Sequence, residues 1–397
     1  MNMTNELMDE EFQKMIEEDK YVQVNYINVE MCENDATKDV PKAQHILGKA
    51  YHYGKGVAQN YEKAVYWYKK AVEQNFAASQ HNLAWCYNNG KGISKDYEKA
   101  FYWYEKAANQ GFALAQHSLA SYYKNGIGVK QDYEKAIYWY TEATKQGLDI
   151  AQNSLGLCYE SGLGFAQNYE KAFYWYKKAA EQECDCAWYN LARCYRAGTG
   201  IEKDDKKAFY WYKKVAKRGM DIAQYNLARF YEIGKGIAKD HEKAFYWCKQ
   251  AAEQGLDIAQ TNLACYYKDG IGIDKNAEKA FYWFKKAAEQ ELDIAQNNLG
   301  WCYANGVGII KNAEKAVYWY KKAAEQGLDT AQHSLGWYYE KGEGIAKDHK
   351  KAIYWYKRAI EKGNKDAKKS LKRCRIERML SLVITILLLI FLWTMIR

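Results

Sequence analysis

Three sets of residues in this 397-residue chain carry side chains whose type and spacing could do chemistry. Cys184 and Cys186, with Cys194 eight residues further on, could ligate a metal as thiolates or exchange a disulfide. His45, His81, His117 and His333 fall at one position of a recurring unit and could offer imidazole nitrogens to a zinc ion. Paired glycines such as Gly306 and Gly308 could turn backbone N–H groups toward a phosphate. Each set falls short of its chemistry. The thiols lack a fourth ligand nearby or a second cysteine pair, so inert thiols are expected. Equivalent helices in neighbouring units stand about 10 Å apart, against metal bonds of ~2 Å, so the histidines read as surface side chains. Each Gly-x-Gly follows a helical run instead of a strand and lacks a third glycine. With no G-x-S-x-G, H-E-x-x-H or kinase signature in the chain, no catalytic, cofactor-binding or metal-binding residue is expected, nor a small-molecule substrate.

The elements that hold these residues repeat. Stepping by 36 from Leu47 meets leucine at 83, 119, 155, 191, 227, 263, 299 and 335; stepping from Trp67 meets tryptophan at 103, 139, 175, 211, 247, 283, 319 and 355. Self-similarity at this period without insertions predicts stacked helical units. In the copy Ala295 to Thr330, the run "AQNNLGWCY" has helical periodicity and stops at Gly306, where a left-handed residue costs glycine nothing. Asn312 then accepts hydrogen bonds from the free N–H groups of a second helix, and its equivalents are always Asn or Asp. The second helix closes on glycine in most copies; Asn75, Glu183 and Glu291 break that rule, so those three ends are expected to differ. On the first helix Ala295, Leu299, Cys302 and Tyr303 share a core face, and on the second Ala316, Trp319, Tyr320 and Ala323 do. Cys86, Cys158, Cys194 and Cys302 occupy one core position and read as small buried apolar residues.

The pattern A-x-x-x-L-G/A-x-x-Y, G-x-G, N/D-x-x-K-A-x-Y-W-Y-K-K-A-A resembles the Sel-one-like repeat (SLR), a relative of the tetratricopeptide repeat. The resemblance covers nine copies, residues 43–78, 79–114, 115–150, 151–186, 187–222, 223–258, 259–294, 295–330 and 331–366, with a partial tenth from 367. It implies an all-α chain: an α/α superhelical solenoid of nine helix-turn-helix repeats that serves as an adaptor for partner proteins. A disulfide-rich secreted branch of that family staples each repeat with two cysteines eight apart. The corresponding positions here hold residues such as Ala180 and Trp188, which fits an intracellular setting.

Both flanks differ from the repeats. Residues 1–42 carry a charge of −7 and no secretory signal pattern, and the only proline, Pro41, marks their end. Met8, Phe12, Met15 and Ile16 lie at helical spacing and would cap the first repeat; docking to another protein is the alternative. Residues 367–378 form a basic segment with Lys368, Lys369, Lys372, Arg373, Arg375 and Arg378 facing a membrane, and the uncharged stretch 379–396 follows. Eighteen helical residues reach about 27 Å, enough to cross a thinner bilayer such as that of the ER and slightly short for a thicker plasma membrane. A basic run before the span and a one-residue tail after it predict repeats facing the cytosol. Outside that segment the repeats are only mildly basic, and their lysines recur on a solvated face of the second helix, so nucleic-acid binding is not expected.

Partners are expected where the copies differ. Positions 3, 7, 10 and 11 of the first helix vary and lie together opposite the expected core. In tetratricopeptide-like stacks that face lines the ligand groove. Trp85, Arg193, Arg229, Trp301 and Trp337, all at position 7, are therefore the candidate protein-binding residues, because exposed Trp and Arg most often anchor interfaces. Drift on an unused surface is the alternative. The sequence thus predicts a membrane-anchored scaffold for unidentified proteins; a secreted microbial effector that binds a host protein is the alternative, with an enzyme or RNA-binding repeat protein behind it.

Overall fold

The computed structural model describes residues 35–396, so the expected cap from Met8 to Ile16 lies outside the described residues. Among the described residues the chain is helical and contains no strand. Its helix pairs are α1 (Pro41–Tyr53) and α2 (Tyr61–Glu73), α3 (Ala77–Asn89) and α4 (Tyr97–Asn109), α5 (Ala113–Asn125) and α6 (Tyr133–Lys145), α7 (Asp149–Ser161) and α8 (Tyr169–Glu181), and α9 (Asp185–Ala197) and α10 (Asp205–Arg218). There follow α11 (Asp221–Ile233) and α12 (His241–Glu253), α13 (Asp257–Asp269) and α14 (Ala277–Glu289), α15 (Asp293–Asn305) and α16 (Ala313–Glu325), α17 (Asp329–Lys341) and α18 (His349–Glu361), and the long α19 (Lys365–Ile396). Two compact units divide the chain after Trp211, within α10. In each unit a first helix packs on the second helix of its own pair, and that second helix packs on the first helix of the next.

Local chemistry sets the helix ends. The Asn312 side chain accepts the Lys315 N–H at 2.8 Å, and Asp96 accepts that of Lys99 at 2.9 Å. First helices stop on left-handed glycines; Gly306 has φ 71° and donates its N–H to the Cys302 carbonyl at 2.8 Å. Two residues on, a Cβ at Gly308 would collide with the Ala277 carbonyl at the head of α14, so this close approach seats one repeat's loop on the repeat before it.

The second-helix ends correct the sequence-based expectation. Asn75, Glu183 and Glu291 adopt φ of 59°, 66° and 66°, the left-handed turn that glycine takes elsewhere. Glu291 N–H donates to the Ala288 carbonyl at 3.1 Å, as Gly111 N–H does to Ala108 at 2.9 Å. Open space explains the tolerance: a Cβ added at Gly111 would meet nothing within 4 Å, so a side chain there is opposed only by its own backbone conformation. Glu183→Gly and Glu291→Gly are each expected to raise stability by about 1 kcal/mol, read as a higher denaturation midpoint.

The core follows the repeat. Leu299, Ala295 and Cys302 are fully buried, as are Ala316 and Ala323 on the partner helix. Burial pushes the Cys86 and Cys302 thiols up to about 12 and the Cys158 thiol up to about 11, which keeps them protonated and inert. Trp319 departs from expectation: it is half-buried, while Val317, Tyr320 and Ala324 complete the core stripe. The stripe runs over Ala316, Tyr320, Ala323 and Ala324, so the tryptophan is turned to its rim, edge-on to the exposed Tyr318 at 5.1 Å. Glutamines brace the helices: Gln326 Nε2 donates to Gln296 Oε1 at 2.9 Å, and Gln332 Nε2 to the Ala324 carbonyl at 3.1 Å. Where Trp188 replaces that second glutamine, its indole Nε1 keeps the bond to the Ala180 carbonyl at 3.0 Å.

Candidate protein-binding surface

The variable first-helix positions contact one another across repeat junctions. In the N-terminal unit the His52 ring lies 4.6 Å from that of Trp85. Arg193 Nη2 donates to Glu160 Oε1 at 2.8 Å, and the Tyr176 hydroxyl donates to the other oxygen of the same carboxylate. In the C-terminal unit Lys268 Nζ stands 5.2 Å from the Trp301 ring centre. Glu340 accepts both Arg373 Nε at 2.8 Å and Arg373 Nη2 at 2.9 Å, and again takes the hydroxyl of a core tyrosine, Tyr356. All four contacts join position 10 of one repeat to position 7 of the next. Sequence reading missed this coupling, although matched chemistry 33 residues apart was its signal.

The coupling sorts the candidates. Trp85 is a correction: only 5 % exposed, it is covered by the preceding repeat and offers a partner no surface. Arg193 is half-buried and held by Glu160. Arg229, by contrast, is exposed, and its ion pair to Glu232 is an i,i+3 surface pair of small energy. Trp301 is 38 % exposed on α15, and Trp337 is half-buried on α17, edge-on to Tyr338 at 5.0 Å. The C-terminal unit therefore presents Arg229, Trp301 and Trp337 on its first helices.

The histidines are a second correction. His45, His81 and His117 are buried, and His333 is half-buried. Position 3 faces the next repeat's first helix: His45 Nδ1 meets Ser79 Oγ at 2.9 Å, His117 Nε2 meets Ser154 Oγ at 3.0 Å, and His333 Nε2 meets Ser370 Oγ at 2.9 Å. Burial pulls His45 and His81 down to about 4 and His117 down to about 3, so they serve as neutral hydrogen-bonding groups. His52, under Trp85, is lowered by burial to about 4 as well. Of the clustered thiols, Cys184 is buried and Cys186 half-buried. Among the described residues no group of three or more His, Cys, Asp or Glu is placed to hold a metal ion.

α19 has two halves. Ala367, Ser370 and Cys374 pack against the last repeat, while Lys365, Lys368, Lys369, Lys372 and Arg375 are exposed. Arg373 is tied to Glu340 and so faces the stack's last repeat as much as any membrane. The helix then runs unbroken into an apolar stretch of mean hydropathy 2.2 with no residue of that stretch buried, so it has the length and composition to cross a bilayer.

A family model described as the Sel1 repeat matches residues 41–76, 77–112, 113–148, 149–184, 187–220, 221–256, 257–292, 293–328 and 330–364. The chain is similar to the crystal structure of a Sel1 repeat protein from Oxalobacter formigenes, at 29% identity over 78% of this chain and 90% of that chain, with a TM-score of 0.57. It is also similar to c5321, a protective antigen present in uropathogenic Escherichia coli strains and displaying an SLR fold, at 29% identity over 89% and 91% of the two chains, with a TM-score of 0.49. No curated protein matches it.

Proposed function

We propose that this chain, which belongs to the Sel1 repeat family, is a membrane-anchored scaffold that binds partner proteins along the first-helix face of its C-terminal unit. Sel1 repeat proteins are generally protein-interaction scaffolds. The observation that carries the finer reading is the exposure of Arg229, and of Trp301 despite its contact with Lys268, at the position that couples repeats elsewhere. Large aromatic and guanidinium groups left in solvent are the usual anchors of interfaces. A segment with apolar anchors and acidic residues fits them.

The membrane reading rests on α19, and its geometry acts as a ruler. At 1.5 Å per residue, Arg378, Arg375 and Lys372 stand about 1.5, 6 and 10 Å from Met379 along the axis. They lie within the headgroup layer or about one screening length of it, so they are the cations that meet anionic lipid. Lys365, Lys368 and Lys369 stand about 15–21 Å away and are held there by the packed helix. The basic residues before the span favour repeats in the cytosol. Protease added to sealed membranes is expected to digest the repeats, whereas repeats protected until detergent is added would reverse the orientation.

A further inference from the structure

The start of the apolar stretch coincides with a level of the stack. Gly342 ends α17 in a left-handed turn with φ 75°. Its equivalent 36 residues on is Arg378, and there α19 continues without a turn. The two helices lie side by side in register, because His333 meets Ser370 near their beginnings and Lys341 Nζ meets Glu377 Oε1 at 3.7 Å at this level. α11 and α13 keep the same register, with Asn262 Nδ2 donating to the Tyr225 hydroxyl at 3.2 Å. Hence the Gly-x-Gly loops of the C-terminal repeats stand on the edge from which α19 leaves, spaced about 10 Å from helix to helix.

That edge carries apolar and cationic side chains in solvent. Ile310 is 87 % exposed and Ile309 38 %, in the second loop from α19. The other eight copies hold Ala, Ser, Lys, Glu or Asp at the position of Ile310, so nothing in the fold requires an isoleucine there. Lys311 and Lys347 are exposed beside the same loops, with Glu343 the acidic exception nearest α19. An exposed branched apolar residue flanked by lysines suits the boundary between phosphates and acyl chains.

Building on the anchor reading above, we propose that the Gly-x-Gly edge of the C-terminal repeats rests on the anionic leaflet that α19 enters, with Ile310 at the acyl boundary and Lys311 and Lys347 against lipid phosphates. The C-terminal unit then lies along the membrane instead of standing off it.

The test places a nitroxide through I310C, or through E325C on the opposite edge, in the full chain reconstituted into phosphatidylcholine–phosphatidylglycerol vesicles. The signal of the identically treated native chain is subtracted. Collision with a water-soluble nickel chelate is expected to be several-fold lower at 310 than at 325. Equal nickel access at both sites, in protein that resists alkaline carbonate extraction, would overturn this edge contact and leave the anchor intact. Protein stripped from the vesicles by carbonate would overturn the anchor, and this proposal with it.

Discussion

Moving from pH 7 to pH 5 is expected to loosen the N-terminal unit and leave α13 to α16 folded. His45, His52 and His81, with folded values near 4, and His117, near 3, all lie in that unit. Burial lowers each of them, and neighbouring cationic or titratable groups add to it: His81 near His45, Lys49 near His52, and Lys124 with His81 near His117. A histidine lowered by folding is protonated more readily in the unfolded chain, whose value is about 6.5. Its stabilisation is therefore complete above pH 6.5, falls as pH drops toward 4, and falls no further below about 3. At pH 5 the loss is on the order of 2 kcal/mol per histidine. Four such losses approach the whole stability of a typical domain, about 5–15 kcal/mol. Hydrogen exchange at the two pH values reads the effect. Replacing His45, His81 and His117 by Asn, the residue found at this position in Asn153, should flatten the response. Equal loss of protection in both units would refute the assignment.

Leu299→Ala is expected to destabilise the C-terminal unit by about 2–5 kcal/mol, because it deletes a fully buried side chain between helices. In a stack each repeat is held chiefly by its neighbours, so the damage should be local. Exchange should accelerate in α13 to α18 before it does in α3 to α8. Acceleration spread evenly over the chain would contradict nearest-neighbour coupling.

Much of this architecture was legible because a repeated sequence states its core nine times. Leu299 and Ala316 keep their residue type in every copy, the Tyr320 position is aromatic in all but Cys248, and the Asn or Asp caps and left-handed glycines fall where capping chemistry requires them. What stayed hidden lies between repeats. Helical periodicity assigns a face to His81 or Trp85 but cannot tell solvent from a neighbouring repeat's first helix, and both are buried there, His81 toward the next repeat and Trp85 under the preceding one. At Glu183 and Glu291 residue preference suggests a different turn, yet the hydrogen bonds of the helix end hold the left-handed one. Of the candidate surface, the type of residue was visible in the sequence. Which copies were free to use it depended on the partner 33 residues away.

The central claim is tested most directly by comparing the proteins captured by the native chain with those captured by a variant carrying Trp301→Ala, Trp337→Ala and Arg229→Ala. The variant loses the Lys268–Trp301 contact, worth about 0.5–1 kcal/mol, a weaker Arg229 pair and the buried part of two tryptophan rings, so its unfolding midpoint should fall while the repeats stay folded at the temperature of capture. Anchors of this type each contribute about 2 kcal/mol or more to binding, though not additively, so affinity for partners should fall by at least about two orders of magnitude. A folded triple variant that retains every partner at native affinity would contradict the account.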